Sequence, residues 1–306
     1  MTDNTSPPIT YRPGAPADSR AVFDVCVESI LEFGARTGVM PITGGDDPAV
    51  MATRWERRRS LFEHLAHNAE SFWLAARDGQ VIGYARAIWR DGLRELTEFF
   101  VLPGQQSAGV GRELLARVFP ADGAVHRSIV STLDVKALTR YLKSGVYTRF
   151  PLQYFSRTPE VVQVATDLQI EPISPTPGTL ETLAALDLAL LGHRRDADHL
   201  WLLRERQGYL YSREGGPAGY GYVGQSSGPF GLLGERDFPA VLAHAETQAA
   251  ARGESFGVEV PLINRAALRY LLARGYRMDS FVALFMSDLP FGQFERYLFT
   301  SPPFFL

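Results

Sequence analysis

The sequence predicts a mixed α/β protein, a mixed sheet with helices, built from one fold used twice. Three observations carry this. Segments with apolar residues at helical spacing alternate with short extended segments. A block that begins at Asp134 recurs 130 residues later, at Asn264, without a gap. The chain has 306 residues, about twice the ~150 of a common domain.

Residues 1–8 read as a loose polar tail. Ile9–Arg12 is a short strand, and Ala17-Asp18-Ser19 supplies capping types for a helix with Val22, Val25, Cys26, Ile30 and Phe33 on one face. Gly34 to Pro48 is rich in Gly, Pro and Thr and reads as a loop. Asp47-Pro48 opens a second helix carrying Met51, Trp55, Phe62 and Leu65, while Arg54, Arg57, Arg58 and Arg59 form a solvated face. Phe72–Arg77 and Val81–Ile88 form a hairpin turned at Asp78-Gly79. Glu95–Leu102 is a third strand, and it runs into a glycine-containing turn and a helix with Leu114, Leu115, Val118 and Phe119. Ser128–Thr132 is extended. Asp134 caps a helix bearing Ala137, Leu138, Tyr141 and Leu142, closed by Gly145, and Tyr147–Phe155 is a last strand.

The series then repeats. At the offset of 130, Ala137-Leu138 falls on Ala267-Leu268, Leu142 on Leu272 and Gly145 on Gly275. The hairpins align at a slightly larger offset, Arg77 on Arg213 and Gly83-Tyr84 on Gly219-Tyr220. The expected domains are 9–159 and 170–306, joined by a linker at 160–169.

Composition excludes several classes. Lys+Arg is 31 and Asp+Glu is 34, a net charge of −3, so there is no electrostatic footprint for nucleic acid or an anionic membrane. One cysteine, Cys26, forms no internal disulfide and reads as a small core residue. The start lacks a basic and apolar leader, and no apolar run approaches the ~18–20 residues of a membrane helix. A cytoplasmic monomer or homodimer is expected. His64 and His67, like His193 and His199, lack a convincing third ligand and read as packing or surface residues, so no metal is expected. The aromatic tail Phe291–Leu306 should dock on its own chain.

The informative segment is Val101-Leu102-Pro103-Gly104-Gln105-Gln106-Ser107-Ala108-Gly109-Val110-Gly111-Arg112. Its context is strand, turn, helix. Glycine at 109 and 111 admits close approach of a ligand to the backbone, and amides at a helix start carry partial positive charge. That combination suits pyrophosphate. A nucleotide P-loop needs Gly-Lys-Ser/Thr, where this chain has Gly111-Arg112-Glu113, and the dinucleotide fingerprint needs a third glycine.

The spacing Gln106-x-x-Gly109-x-Gly111 resembles motif A of the GNAT N-acetyltransferase superfamily. Val101-Leu102-Pro103 stands where that family carries Val-x-Pro. Asp134, Ala137, Tyr141 and Gly145-Val146 stand at the spacings of its Asn-x-x-Ala-x-x-x-Tyr-x-x-x-Gly-Phe helix, with Asp for Asn and Val for Phe. The resemblance implies two tandem GNAT-like acyl-CoA N-acyltransferase folds and an enzyme that moves the acetyl group of acetyl-CoA to a small-molecule amine. It implies that Gln106, Ser107, Ala108, Gly109, Val110, Gly111 and Arg112 hold the cofactor, with Asp134 as a further contact. A backbone N–H from Phe100, Val101 or Leu102 would stabilise the oxyanion. Tyr141 would protonate the leaving thiolate. Glu98 is favoured over Glu95 as the base, because it lies nearer the splayed end of the strand.

In the second copy Gln106 falls on Arg236, Gly109 on Pro239, Gly111 on Val241, Tyr141 on Leu271 and Glu98 on Gly228. Proline offers no N–H and valine blocks close approach. The second copy is therefore expected to be degenerate. The competing readings are a catalytically silent acyl-CoA sensor and an enzyme using a longer acyl-CoA or an aminoacyl-tRNA. The net negative charge disfavours tRNA.

Overall fold

The structure, a computed structural model, describes residues 7–39, 48–106 and 109–306. It divides into two compact units, one of residues 1–89 and 94–127, the other of residues 90–93 and 128–306.

The first unit holds β1 (Thr10–Pro13), α1 (Ser19–Thr37), α2 (Pro48–His67), β2 (Ala69–Arg77), β3 (Gln80–Arg90), β4 (Leu93–Val101) and α3 (Val110–Val118). Its strands lie in the order β1-β2-β3-β4. β1 runs antiparallel to β2, with Thr10 opposite Ala76, and β2 runs antiparallel to β3, with Leu74 opposite Tyr84. The hairpin turn puts Asp78 at φ 51° and Gly79 at φ 76°, the left-handed pair that a twisted two-residue hairpin requires. Val22, Phe23 and Cys26 of α1 and Phe62 and Leu65 of α2 are buried, as their helical spacing requires.

One boundary differs from the expectation. Residues Gly34–Thr37 continue α1 rather than open a loop. Glu32 and Arg36 pair one turn apart at 3.0 Å, and the helix stops at Gly38, whose φ of 70° is left-handed. Residues 40–47 of the expected loop lie outside the described residues, as do 1–6 of the expected tail.

The second unit holds most of β5 (His126–Ser131), then α4 (Val135–Lys143), β6 (Tyr147–Arg157), β7 (Gln169–Pro172), α5 (Pro177–Leu190), α6 (Asp196–Glu205), β8 (Gln207–Arg213), β9 (Gly216–Val223), β10 (Phe230–Leu232), α7 (Phe238–Arg252), β11 (Phe256–Pro261), α8 (Arg265–Ala273), β12 (Arg277–Ser287) and β13 (Tyr297–Leu298). The repeat is visible in these bounds. β5, α4 and β6 recur as β11, α8 and β12 with every boundary shifted by 130 residues.

The pairing of these strands crosses between the two copies. The order is β5-β12-β6-β11. β12 lies antiparallel to β5, with Met286 opposite Ile129, and β6 lies antiparallel to β11, with Phe155 opposite Val258. Under the offset the order maps onto itself reversed, so each copy is completed by the final strand of the other. A five-stranded sheet, β13-β10-β9-β8-β7, carries α5, α6 and α7. Its core includes Tyr211, Phe230, Phe238, Val241, Phe256 and Leu271. The aromatic tail packs on its own unit, with Phe294 at 4.6 Å from Phe285 and 5.1 Å from Phe150 between ring centres.

Candidate active site

β4 ends where the glycine turn begins. Gly83 on β3 makes room there, since a Cβ on it would lie 3.0 Å from the Phe100 carbonyl oxygen. The Leu102 N–H donates to the Ile82 carbonyl at 2.9 Å, so that amide is committed to β3. This removes Leu102 from the three candidate oxyanion donors. Along an extended strand, successive residues turn their N–H and C=O groups to opposite edges. The Val101 carbonyl faces the turn and accepts from Gln106 Nε2 at 3.3 Å, so the Val101 N–H faces the same way.

The turn continues through Gly104, at φ 78°, and Gln105, whose N–H donates to the Leu102 carbonyl at 3.1 Å. Gly109, again at φ 78°, is the N-cap of α3. The first bond of the helix runs from the Glu113 N–H to the Gly109 carbonyl at 3.1 Å, so the amides of Val110, Gly111 and Arg112 precede it. Arg112 is exposed and extends over Gly109. Ser107 and Ala108 lie outside the described residues. Beside the turn, Arg77 Nη1 donates to Gln105 Oε1 at 2.6 Å.

Glu98 is placed differently from the expectation. Its side chain has no exposure, and its carboxylate accepts from Arg86 Nε at 2.6 Å, from Arg86 Nη2 and from the Tyr84 hydroxyl at 2.7 Å. Arg86 is held in turn by the Phe62 carbonyl at 3.0 Å and by the Phe72 ring. A base must reach the amine or its water and carry a proton away. Both oxygens of Glu98 already face fixed donors, so the geometry makes it a fastening between β3, β4 and α2. Glu95 is also buried, at 2% exposure. Cys26 packs beside this group, and burial, with Glu98 adding to it, raises its thiol above the ordinary range.

Asp134 and Tyr141 belong to the second unit. Asp134 caps α4 by accepting from the Ala137 N–H at 2.9 Å. Asn264 does the same for α8 at 3.0 Å from Ala267, so this position is a helix cap in both copies. The cap engages one of the two carboxylate oxygens of Asp134. Tyr141 is buried on the inner face of α4. Burial raises its phenol well above the ordinary value, with Asp134 adding to the shift, so the hydroxyl keeps its proton.

The sequence reading missed a buried polar group in the second copy. Asp187 of α5 accepts from Arg195 Nε at 2.9 Å and from the Tyr220 hydroxyl at 2.5 Å. His199 Nε2 lies 2.8 Å from the same carboxylate, and its Nδ1 lies 2.6 Å from the Tyr222 hydroxyl. Burial opposes ionisation of Asp187, yet Arg195 and His199 hold it below the carboxylate range. The one available signal was Tyr220 itself, aligned with Tyr84. Elsewhere an open cleft is lined by His67, Glu70, Trp89 and Arg94, but Arg94 is engaged by Glu70 at 2.7 Å and by the Pro120 and Asp122 carbonyls. No described helix is long and apolar enough to cross a membrane.

Residues 43–141 match the model of the Acetyltransferase (GNAT) family. No curated protein matches the chain. Among solved structures, a protein from Pyrococcus horikoshii proposed to be an acetyltransferase superposes with a TM-score of 0.70 at 15% identity, over 94% of this chain and 92% of that one. A GCN5-related N-acetyltransferase from Sphaerobacter thermophilus gives 0.58 at 15% identity, over 91% and 95%. A tandem GNAT protein from the clavulanic acid biosynthesis pathway gives 0.56 at 14% identity, over 92% and 99%. Residues 43–141 thus match a GNAT-family domain, and the chain has the fold of a tandem GNAT protein.

Proposed function

We propose that the protein is an acetyl-CoA-dependent N-acetyltransferase that acts on a small-molecule amine, with its one active site in the first copy, residues 9–159. The observation that carries this is the end of β4, where Val101 faces a glycine turn leading into the first-turn amides of α3. In this reading the amides of Val110, Gly111 and Arg112 take the pyrophosphate. The Val101 N–H donates to the thioester oxygen as charge develops on it, an effect worth ~3–4 kcal/mol where measured for one such donor. The amine, arriving as its free base, bonds through nitrogen to the carbonyl carbon, and the C–S bond breaks. The sulfur takes a proton from Tyr141, and the proton shed by the amine nitrogen returns to the tyrosinate through solvent. Holding both reactants together supplies much of the remaining acceleration.

Glu98 is not given the role of base, because Arg86 and Tyr84 saturate it. The second copy, residues 170–306, is read as degenerate. Pro239 and Val241 replace the two glycines, and Leu271 replaces the tyrosine. The reading is tested by free-thiol release from acetyl-CoA across a library of amines. At least one amine should give turnover that falls about a hundredfold in Tyr141→Phe, the lower end of what a positioned proton donor contributes. Acetyl-CoA binding without turnover on any amine would favour a sensor instead.

A further inference from the structure

The two hairpins end their first strand with an arginine, and the two arginines meet different neighbours. Arg77 closes β2 before Asp78-Gly79, and Arg213 closes β8 before Glu214-Gly215. Both turns have the left-handed pair, φ 51° and 76° in the first and 51° and 78° in the second. The backbone therefore delivers both guanidinium groups from the same position in the motif.

In the second copy that cation is fully paired. Arg213 donates to Asp167 at 2.6 and 2.7 Å and to Asp237 at 3.2 and 2.7 Å. Asp237 is buried and is the N-cap residue of α7. It is thus an internal anion held between an arginine and the start of a helix. At the offset of 130 it falls on Ser107, inside the glycine turn of the first copy.

In the first copy the same arginine pairs with no carboxylate among the described residues. Arg77 Nη1 is held by Gln105, a neutral residue of the turn that enters α3. Its Nε is buried and has no acceptor among the described residues. A guanidinium held at Nη1 by a neutral amide, with no carboxylate partner among the described residues, carries a charge that suits an anion.

We propose that Arg77 binds a phosphate of the acyl-CoA nucleotide, doing in the first copy with a ligand what Arg213 does in the second with Asp237. This rests on the acyl-CoA reading above. The phosphate is either the pyrophosphate held by the turn or the 3′-phosphate of the ribose, and both offer the oxygens that a guanidinium takes.

The test is calorimetric titration of the full-length protein with acetyl-CoA and with 3′-dephospho-acetyl-CoA. Arg77→Met should weaken acetyl-CoA about tenfold, the low end for a hydrogen bond to a charged group at a partly exposed site. Gln105→Glu keeps the arginine and supplies the carboxylate that the second copy carries, and it should weaken binding to a similar extent. A loss with acetyl-CoA alone places Arg77 on the 3′-phosphate, and equal losses with both compounds place it on the pyrophosphate. Either supports the proposal. Wild-type protein that binds, with both variants binding equally well, overturns the Arg77 assignment alone. Wild-type protein that binds neither compound overturns the acyl-CoA reading, and the assignment falls with it.

Discussion

The two copies bury the same kind of polar group and surround their helix starts differently. In the first, Tyr84 and Arg86 of β3 hold Glu98 of β4. In the second, Tyr220 of β9 and Arg195, just before α6, hold Asp187 of α5. The tyrosine stays on the hairpin, while the carboxylate has moved from a strand to a helix and the arginine from a strand to a turn. What is retained is a paired, hydrogen-bonded cluster rather than a residue. The positions read as ligand-facing behave otherwise. Gly109 and Gly111 give way to Pro239 and the fully buried Val241, and Tyr141 gives way to the buried Leu271. Packing positions tolerate only substitutions that still fill or neutralise the core. A loop relieved of its ligand can lose its glycines, and it can close its cation with a carboxylate of its own.

The largest effect should come from separating the copies. A chain ending after residue 159 lacks β12, so β5 loses the partner that lines up with Ser128–Ser131. β6 would lose both of its neighbours, β12 and β11. The truncated chain should show no cooperative thermal transition by circular dichroism. A sharp transition would mean that the first copy folds without borrowing a strand.

The next comparison sets the buried carboxylates against each other. Glu98→Gln leaves Arg86 without its counter-charge, and Asp187→Asn does the same to Arg195. Each should cost ~3–5 kcal/mol in a urea melt, the range for breaking one side of a buried pair. Because Glu98 is a fastening, Glu98→Gln should lower stability while leaving unchanged the pH profile of any turnover by protein that remains folded. A pH profile that loses its limb would return Glu98 to the role of base.

A smaller effect separates the copies by pH. His193 in the second copy is buried, and that burial, with Arg195 nearby, lowers its ring to about 4. Folding therefore favours the neutral ring, and the unfolded chain binds the extra proton below about 6.5. The stability from this residue is complete above about 6.5 and is lost as the pH falls toward about 4. His193→Asn should flatten that part of the curve of thermal midpoint against pH.

Much of the fold was legible in the sequence. The offset of 130 read from Asp134 and Asn264 reappears in the bounds of β5, α4, β6 and their counterparts. The exchange of β6 and β12 was not legible. Strand alternation states which side chains share a face, but it does not state which strand pairs with which. The same limit explains Glu98: its spacing placed it near the cofactor turn, while the arginine that engages it, Arg86, is set by tertiary contact. The cap by Asp134 is local, three residues from its amide partner, and was legible. Asp187 lies on α5, while Arg195 and His199 lie at the start of α6, and their meeting is set by helix packing, so only Tyr220 hinted at their cluster. The α1 boundary moved because a glycine inside a helix costs only ~1 kcal/mol, which packing and the Glu32–Arg36 pair offset.

The central claim is that two copies make one site. Titration of the intact protein with acetyl-CoA tests it most directly. One equivalent should bind per chain, and Gly111→Val, which imports the residue of the second copy into α3, should abolish that binding while the thermal midpoint stays within a few degrees. Two equivalents per chain, or one that survives Gly111→Val, would contradict it.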